Sequence, residues 1–212
     1  MLLVSLIVII IGSFTSCIDV IQVVSIKHGV IYTSIRYSLE KTIFELAASF
    51  SGETIDYDEY LDIGDDAFSV FKGVSGEIKK HETPYEIGAE VTFEGKETLI
   101  SSLLDGEVEF IPIKKNNAYY IEIPLIGESG EDIDENELGF LAGSKYRMVV
   151  ALTDDLKNIS KAQLSLELTS GVSNTLTKEE GVSVSITGAI MLIDIPMSII
   201  FIDEGKIIIK LS

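Results

Sequence analysis

The stretch that decides the fold is residues 18–39, which read IDVIQVVSIKHGVIYTSIRYSL. Its two halves alternate like strands with one buried face. The first half places Ile18, Val20, Val24 and Ile26 on one face, and the second half does the same with Ile31, Thr33, Ile35, Tyr37 and Leu39. Between the halves, His28-Gly29 supplies a tight turn, because glycine accepts a positive φ. The sequence therefore predicts an antiparallel hairpin.

A change of period after the hairpin predicts a helix. Its apolar stripe is Ile43, Leu46, Ala47 and Phe50, with Thr42 and Glu45 as a capping box and Gly52 as its stop. The same order of two strands and a helix recurs, with strands in residues 77–94 and an apolar helical stripe at 99–104. It recurs again in residues 108–125, turning at Lys115-Asn116-Asn117, with a short helix at 138–141. We count three such strand–strand–helix units.

The last third of the chain alternates as strands only, at 146–152, 164–168 and 182–186. Residues 189–202 are nearly all apolar, but Asp194 and Pro196 favour a strand buried on both faces, or an edge strand bent at the proline, over a membrane span. The predicted fold is therefore one α+β domain over residues 17–212. We expect a largely antiparallel, curved β-sheet built from hairpins, with two or three short helices on one face.

Composition excludes several classes of function. The chain has 212 residues, is 46% hydrophobic and carries a net charge of -18. Its two arginines are Arg36 and Arg147, and nucleic-acid binding needs clustered basic residues. One cysteine, Cys17, allows neither an internal disulfide nor a cysteine-based zinc site. With only His28 and His81 besides, we expect no metal, no cofactor and no nucleic-acid partner.

The first sixteen residues carry no charge, and residues 2–11 are apolar apart from Ser5. Such a run is too short to cross a bilayer, which needs about 20 residues, and is typical of a secretory signal. The cysteine that follows it resembles a bacterial lipobox, although Phe14 replaces the usual aliphatic residue. We predict a lipoprotein-type signal peptide over residues 1–16 and lipidation of Cys17. An uncleaved signal anchor, or a plain secreted or buried segment, is the alternative.

Strand-like alternation begins directly after Cys17, so no flexible tether separates the anchor from the domain. We therefore expect an extracytoplasmic domain close to a bacterial cell membrane or outer membrane. Anionic headgroups attract basic segments, so an acidic domain must be held there by its acyl chains.

Five features, taken in chain order, resemble the bacterial lipoproteins related to the mycobacterial LppM domain. They are the signal ending in cysteine, the hairpin 18–39, the helix 41–50, the second hairpin and helix 76–104, and the closing strands 182–202. The resemblance is one of order and spacing, and it covers most of the chain. It implies an α+β domain on the outer side of a membrane, with a hydrophobic cavity for lipid. Unlike in LppM, we expect no C-terminal transmembrane helix in residues 17–212.

Motifs for catalysis are weak. Ser38 to Lys41 matches the S-x-x-K pattern of penicillin-binding enzymes, but the companion motifs are absent, so Ser38 is better interpreted as a helix cap. Residues 128–137 include the calcium-loop spacing of Asp132, Asp134 and Asn136, but Glu137 and Gly143 stand where an EF-hand needs glycine and glutamate. Residues 56–66 form a second acidic loop. We predict that the protein is not an enzyme.

Two functions then compete. The first is a lipid or apolar ligand bound between sheet and helices, against which stands a solid core made of the same residues. The second is a cell-envelope interaction module that uses its acidic loops or an edge strand. An apolar pocket of several hundred Å³ would favour the first, and an open sheet edge the second. A hydrolase would need a cleft with a converging serine and histidine or paired carboxylates.

Overall fold

Strands dominate the described part of the chain. The structure is a computed structural model and describes residues 18–42, 45, 74–98, 110–125, 143–201 and 204–212. The strands are β1 (Ile18–Lys27), β2 (Val30–Glu40), β3 (Val74–Glu82), β4 (Glu86–Lys96), β5 (Ile113–Lys115), β6 (Ala118–Pro124), β7 (Lys145–Ala151), β8 (Ala162–Leu168), β9 (Ser173–Leu176), β10 (Ser183–Thr187), β11 (Ile190–Pro196) and β12 (Gly205–Leu211). The structure also describes a 3₁₀ turn (Asp154–Leu156) and a one-turn helix α1 (Met197–Ile200), and residues 41–42, 45 and 97–98 are helical.

These strands form two sheets. The larger sheet has the order β10-β11-β7-β1-β2-β4-β3, and the smaller sheet has the order β5-β6-β12-β8-β9. Neighbouring strands are antiparallel throughout, except that β1 and β7 run parallel. Buried side chains of both sheets belong to one hydrophobic cluster, which includes Val24, Met148 and Ile193 from the larger sheet and Ile121, Ile207 and Ile209 from the smaller. The two inner faces therefore pack on each other as in a β-sandwich.

The first predicted hairpin is confirmed. β1 pairs with β2 from Ile18 opposite Leu39 to Lys27 opposite Val30. His28 and Gly29 have φ values of 50° and 69°, and a two-residue type I′ turn requires both to be positive. The predicted turn at Asn116-Asn117 joins β5 to β6 and also has two positive φ values, 48° and 64°. Local turn chemistry thus fixes the register of both hairpins.

The predicted α+β fold class is wrong. The described residues are mostly strand (64%) with only 9% helix, and the strands divide between two sheets instead of one curved sheet. The physical reason is that the second sheet covers much of the inner face of the first, where helices were expected. Ile87 and Ala89 of β4 lie outside this shared core, in a separate buried cluster with Tyr37 and Leu39 of β2. The third predicted hairpin, β5-β6, belongs to this second sheet. At the start of the first predicted helix, residues 41–42 and 45 are helical. The apolar stripe residues Ile43, Leu46, Ala47 and Phe50, and the stripes at 99–104 and 138–141, lie outside the described residues.

One ion pair spans two strands on the outer face of the larger sheet. Arg147 on β7 lies opposite Asp194 on β11. Its Nε donates to Asp194 Oδ1 at 2.8 Å, and a second guanidinium nitrogen donates to Oδ2 at 3.0 Å. These hydrogen bonds from Arg147 hold the pKa of Asp194 below its usual range.

We expect Asp194→Asn to lower the free energy of unfolding by about 1–2 kcal/mol at pH 7. Because the folded pKa is depressed, the contribution of the ion pair is complete above the unfolded pKa of about 3.9 and is lost as the pH falls through the folded pKa. Urea unfolding between pH 7 and pH 2 should therefore give two stability curves that converge at the acid end. A difference in unfolding free energy between the parent and Asp194→Asn that stays the same at every pH would contradict this account.

Candidate functional site

An apolar pocket of about 300 Å³ opens between the two sheets. It lies at the end of the sandwich where β1 and β7 begin and β2, β6 and β11 end. The lining residues are Val20, Ile35, Tyr37, Leu39, Phe110, Ile123, Pro124, Tyr146, Met197, Ile200 and Phe201. Apart from two tyrosine rings, every lining side chain is a hydrocarbon or a thioether.

Strand alternation and strand pairing build the walls. Tyr37 and Tyr146 are the pairing partners of Val20 on its two sides, so the three side chains form one row across β2, β1 and β7. Ile35 and Leu39 flank Tyr37 at alternate positions of β2 and therefore share its face. The smaller sheet supplies the opposite wall at the end of β6.

Helix α1 closes one side of the pocket. β11 ends at Pro196, whose ring fixes φ and whose nitrogen carries no N–H. The chain turns there, and the amide of Met197 donates to the carbonyl of Ser144 at 3.0 Å. This turn places Met197 and Ile200 against the pocket. The edge-strand interpretation of residues 189–202 is wrong, because β11 is an interior strand. Both of its faces are buried or half-buried from Met191 to Pro196, and a helical turn follows it.

A buried polar network lies next to the pocket. Gln22 is fully buried on β1, and the hydroxyl of Tyr146 donates to its Oε1. Its Nε2 donates to Thr33 Oγ1 at 3.0 Å and to the carbonyl of Phe110 at 2.6 Å. Phe110 has a left-handed φ of 64°, a strained value for a bulky residue. The network satisfies its own polar atoms, so the tyrosine presents its ring to the pocket and its hydroxyl to Gln22.

Burial raises the pKa of Tyr146 far above its usual value. The hydroxyl therefore stays protonated at any physiological pH and remains a hydrogen-bond donor. Burial also raises the pKa of Tyr37, the other tyrosine of this wall, so neither hydroxyl loses its proton near neutral pH.

Tyr146→Phe should lower the free energy of unfolding by about 1–3 kcal/mol, because Gln22 Oε1 loses its donor in a buried site. Urea unfolding monitored by circular dichroism measures the change. The matched control is Tyr120→Phe on the outer face of the smaller sheet, which should change stability by less than about 0.5 kcal/mol. Equal losses in the two variants would show that the network does not stabilise the fold.

A larger concavity, of about 460 Å³, lies on the outer face of the smaller sheet. Its lining mixes lysine, glutamate and uncharged polar residues around Tyr120 and Ile208. Its lining residue Glu122 is already neutralised by Lys206, whose Nζ lies 2.8 Å from Glu122 Oε2. Because ligand sites are lined mainly by apolar side chains, the pocket between the sheets is the better candidate.

Ser38 lies inside β2, so its assignment as a helix cap is wrong. Lys41 pairs with Glu82, whereas Ser38 Oγ lies 3.3 Å from His81 Nε2. The imidazole reaches across β4 because Gly88 leaves it room: a Cβ there would sit 2.5 Å from His81 Cε1. A catalytic serine also needs a group that orients the base, and in the described chain no carboxylate hydrogen-bonds to His81. As described, the contact is a hydrogen bond between β2 and β3 that spans Gly88 of β4.

The remaining sequence predictions fall in two groups. Cys17, the signal segment 1–16 and the acidic loops 56–66 and 128–137 lie outside the described residues. Within the described ranges, no group of acidic, histidine or cysteine side chains is arranged to hold a metal ion. No described helix is long and apolar enough to cross a membrane.

Sequence reasoning missed the polar member of the site. Gln22 stands between Val20 and Val24 on the inner face of β1 and interrupts an otherwise apolar alternation. A polar residue at a core position signals a buried hydrogen-bond network. Phe110 and Phe201 lie in the predicted strand region 108–125 and in the apolar run 189–202, but neither pattern points to a pocket.

Comparison with known proteins identifies no relative: no family model, no curated protein and no solved structure matches the chain.

Proposed function

We propose that the protein is a membrane-anchored, extracytoplasmic lipoprotein without catalytic activity, and that its pocket binds a lipid chain or an apolar ligand of similar size. The observation that carries this proposal is the apolar pocket between the sheets, whose volume of about 300 Å³ falls at the lower end of ligand sites. A solid core, the competing interpretation of the same residues, would leave no such space.

Water is a poor occupant of this pocket. A volume of about 300 Å³ corresponds to about ten water molecules at roughly 30 Å³ each. The neighbouring polar atoms of Gln22, Thr33 and Tyr146 bond to one another and offer water no partners. Displacing such water with hydrocarbon is favourable, by about 0.8 kcal/mol for each buried methylene.

The position of the pocket fits an anchor at Cys17. Val20, which lines the pocket, is the third residue of β1, and Cys17 directly precedes that strand. At most about 3.6 Å per residue, the Cα atoms of Cys17 and Val20 lie within about 11 Å of each other. Acyl chains on Cys17 would therefore hold the pocket near the surface of the bilayer.

Ile35→Trp should weaken the binding of a fluorescent C16 fatty acid at least tenfold. The larger side chain fills part of the pocket, and losing the burial of about two methylenes, about 1.6 kcal/mol, already exceeds a factor of ten. Fluorescence titration of the full chain carrying Cys17→Ser measures the affinity. The control is Ile190→Trp, on the outer face of the same sheet and 50% exposed, which should bind as the parent does. Unchanged affinity in Ile35→Trp, or no binding by the parent, would refute the ligand site.

The anchor is tested separately. Expression of the full-length chain in a bacterial host, followed by intact and peptide mass spectrometry, should show an acylated Cys17 as the new N-terminus. Cys17→Ser should abolish both the cleavage and the acyl mass. An unmodified Cys17 within an uncleaved chain would instead establish a signal anchor and would leave the ligand site unaffected.

A further inference from the structure

The two edges of the larger sheet differ in chemistry. β3 exposes Glu77, Lys79, Lys80 and Glu82, and charged side chains on an edge strand prevent further pairing. β10, at the other edge, is Ser-Val-Ser-Ile-Thr and carries no charge. Its Ile186 is 45% exposed. Among the edge strands that the structure describes, β10 alone combines an exposed apolar side chain with no charge.

On the side of β10 that faces away from β11, backbone N–H and C=O groups pair with no described strand. A two-residue turn, Gly188-Ala189, connects β10 to β11, and Thr187 pairs with Ile190 beside it. The residues that close such a turn exchange hydrogen bonds, and bonded positions then alternate along the strand. The backbone N–H and C=O groups of Val184 and Ile186 therefore point away from β11. The described chain places no strand on that side.

We propose that β10 pairs antiparallel with β10 of a second copy of this chain, about a two-fold axis at Ser185. This register uses the outward groups of Val184 and Ile186 in four hydrogen bonds. It also sets each exposed Ile186 beside the partner's Val184, and each Ser183 beside the partner's Thr187. Cross-strand apolar pairs and hydroxyl pairs of this kind stabilise sheets.

Local charge does not oppose a second copy at this edge, despite the net charge of -18. No charged residue lies on the paired strand, and the nearest carboxylate across the ladder, Asp194, is neutralised by Arg147. Two five-residue strands bury less than the roughly 1,200–2,000 Å² of stable complexes. The dimer is therefore reversible, and it is independent of the apolar pocket.

Disulfide trapping tests the register. In the full chain carrying Cys17→Ser, an introduced Ser185→Cys is the only thiol. Ser185 faces its own copy in a pair without mutual hydrogen bonds, with Cα atoms about 4.5 Å apart, within disulfide range. The control is Thr187→Cys on the same exposed strand, whose two copies lie four residues out of register, or about 13 Å apart. Mild oxidation should give a reducible dimer at least tenfold more abundant for Ser185→Cys.

A charge at the edge provides the second measurement. Ile186→Lys, added to Ser185→Cys, should reduce the dimer at least tenfold. Tyr85→Lys, at a position 76% exposed elsewhere on the surface, should leave the yield unchanged. Equal yields from Ser185→Cys and Thr187→Cys, no dimer from either, or a dimer that survives Ile186→Lys would overturn the proposal. A disulfide product with a different protein would also overturn it and assign the edge to that partner.

Discussion

The parallel pairing of β1 with β7 is the contact on which the rest of the structure depends. It runs from Asp19 opposite Lys145 to Val24 opposite Val150 and is the only parallel pair in the described sheets. It joins the hairpin strands β1 to β4 to the later strands β7, β10 and β11, which otherwise share no hydrogen-bonded neighbour in the larger sheet. Because the two strands start at the same end, it also sets Val20 beside Tyr146 and so defines the pocket.

The same pairing explains why a polar residue is tolerated at the centre of the core. Gln22 has four hydrogen-bonding positions, and burying them without partners would cost several kcal/mol. Tyr146 from β7, Thr33 from β2 and the carbonyl of Phe110 supply three partners from three different segments. Such a network forms only when all three segments are in register. It therefore favours one arrangement of strands over slipped ones, which an apolar core alone would discriminate less sharply.

How much of the fold could be predicted depends on the range of each interaction. The turns at His28-Gly29 and Asn116-Asn117 are local, and the hairpins around them were predicted correctly. Which element covers the inner face of those hairpins depends on contacts between residues that are distant in the sequence. Alternation shows that a face is buried but is silent on whether a helix or a second sheet buries it, and the helical stripes led to the wrong choice.

The candidate site shows the same division. Val20, Ile35, Tyr37 and Leu39 belong to faces that alternation predicts to be buried. The pocket itself could not be predicted, because it depends on how completely strands from two sheets fill the space between them. The meeting of Ser38 with His81 is equally non-local, since it depends on the order of β2, β4 and β3 and on the missing side chain of Gly88.

A bare sheet edge is an aggregation risk, and the distribution of charge limits that risk here. The net charge of -18 keeps copies apart in general. Strand addition at β10 about a two-fold axis uses the same edge on both copies, so the contact closes at two molecules. Continued growth would need the opposite edge, where β3 exposes two lysines and two glutamates. With one edge neutral and the other charged, the larger sheet can extend once and then stops.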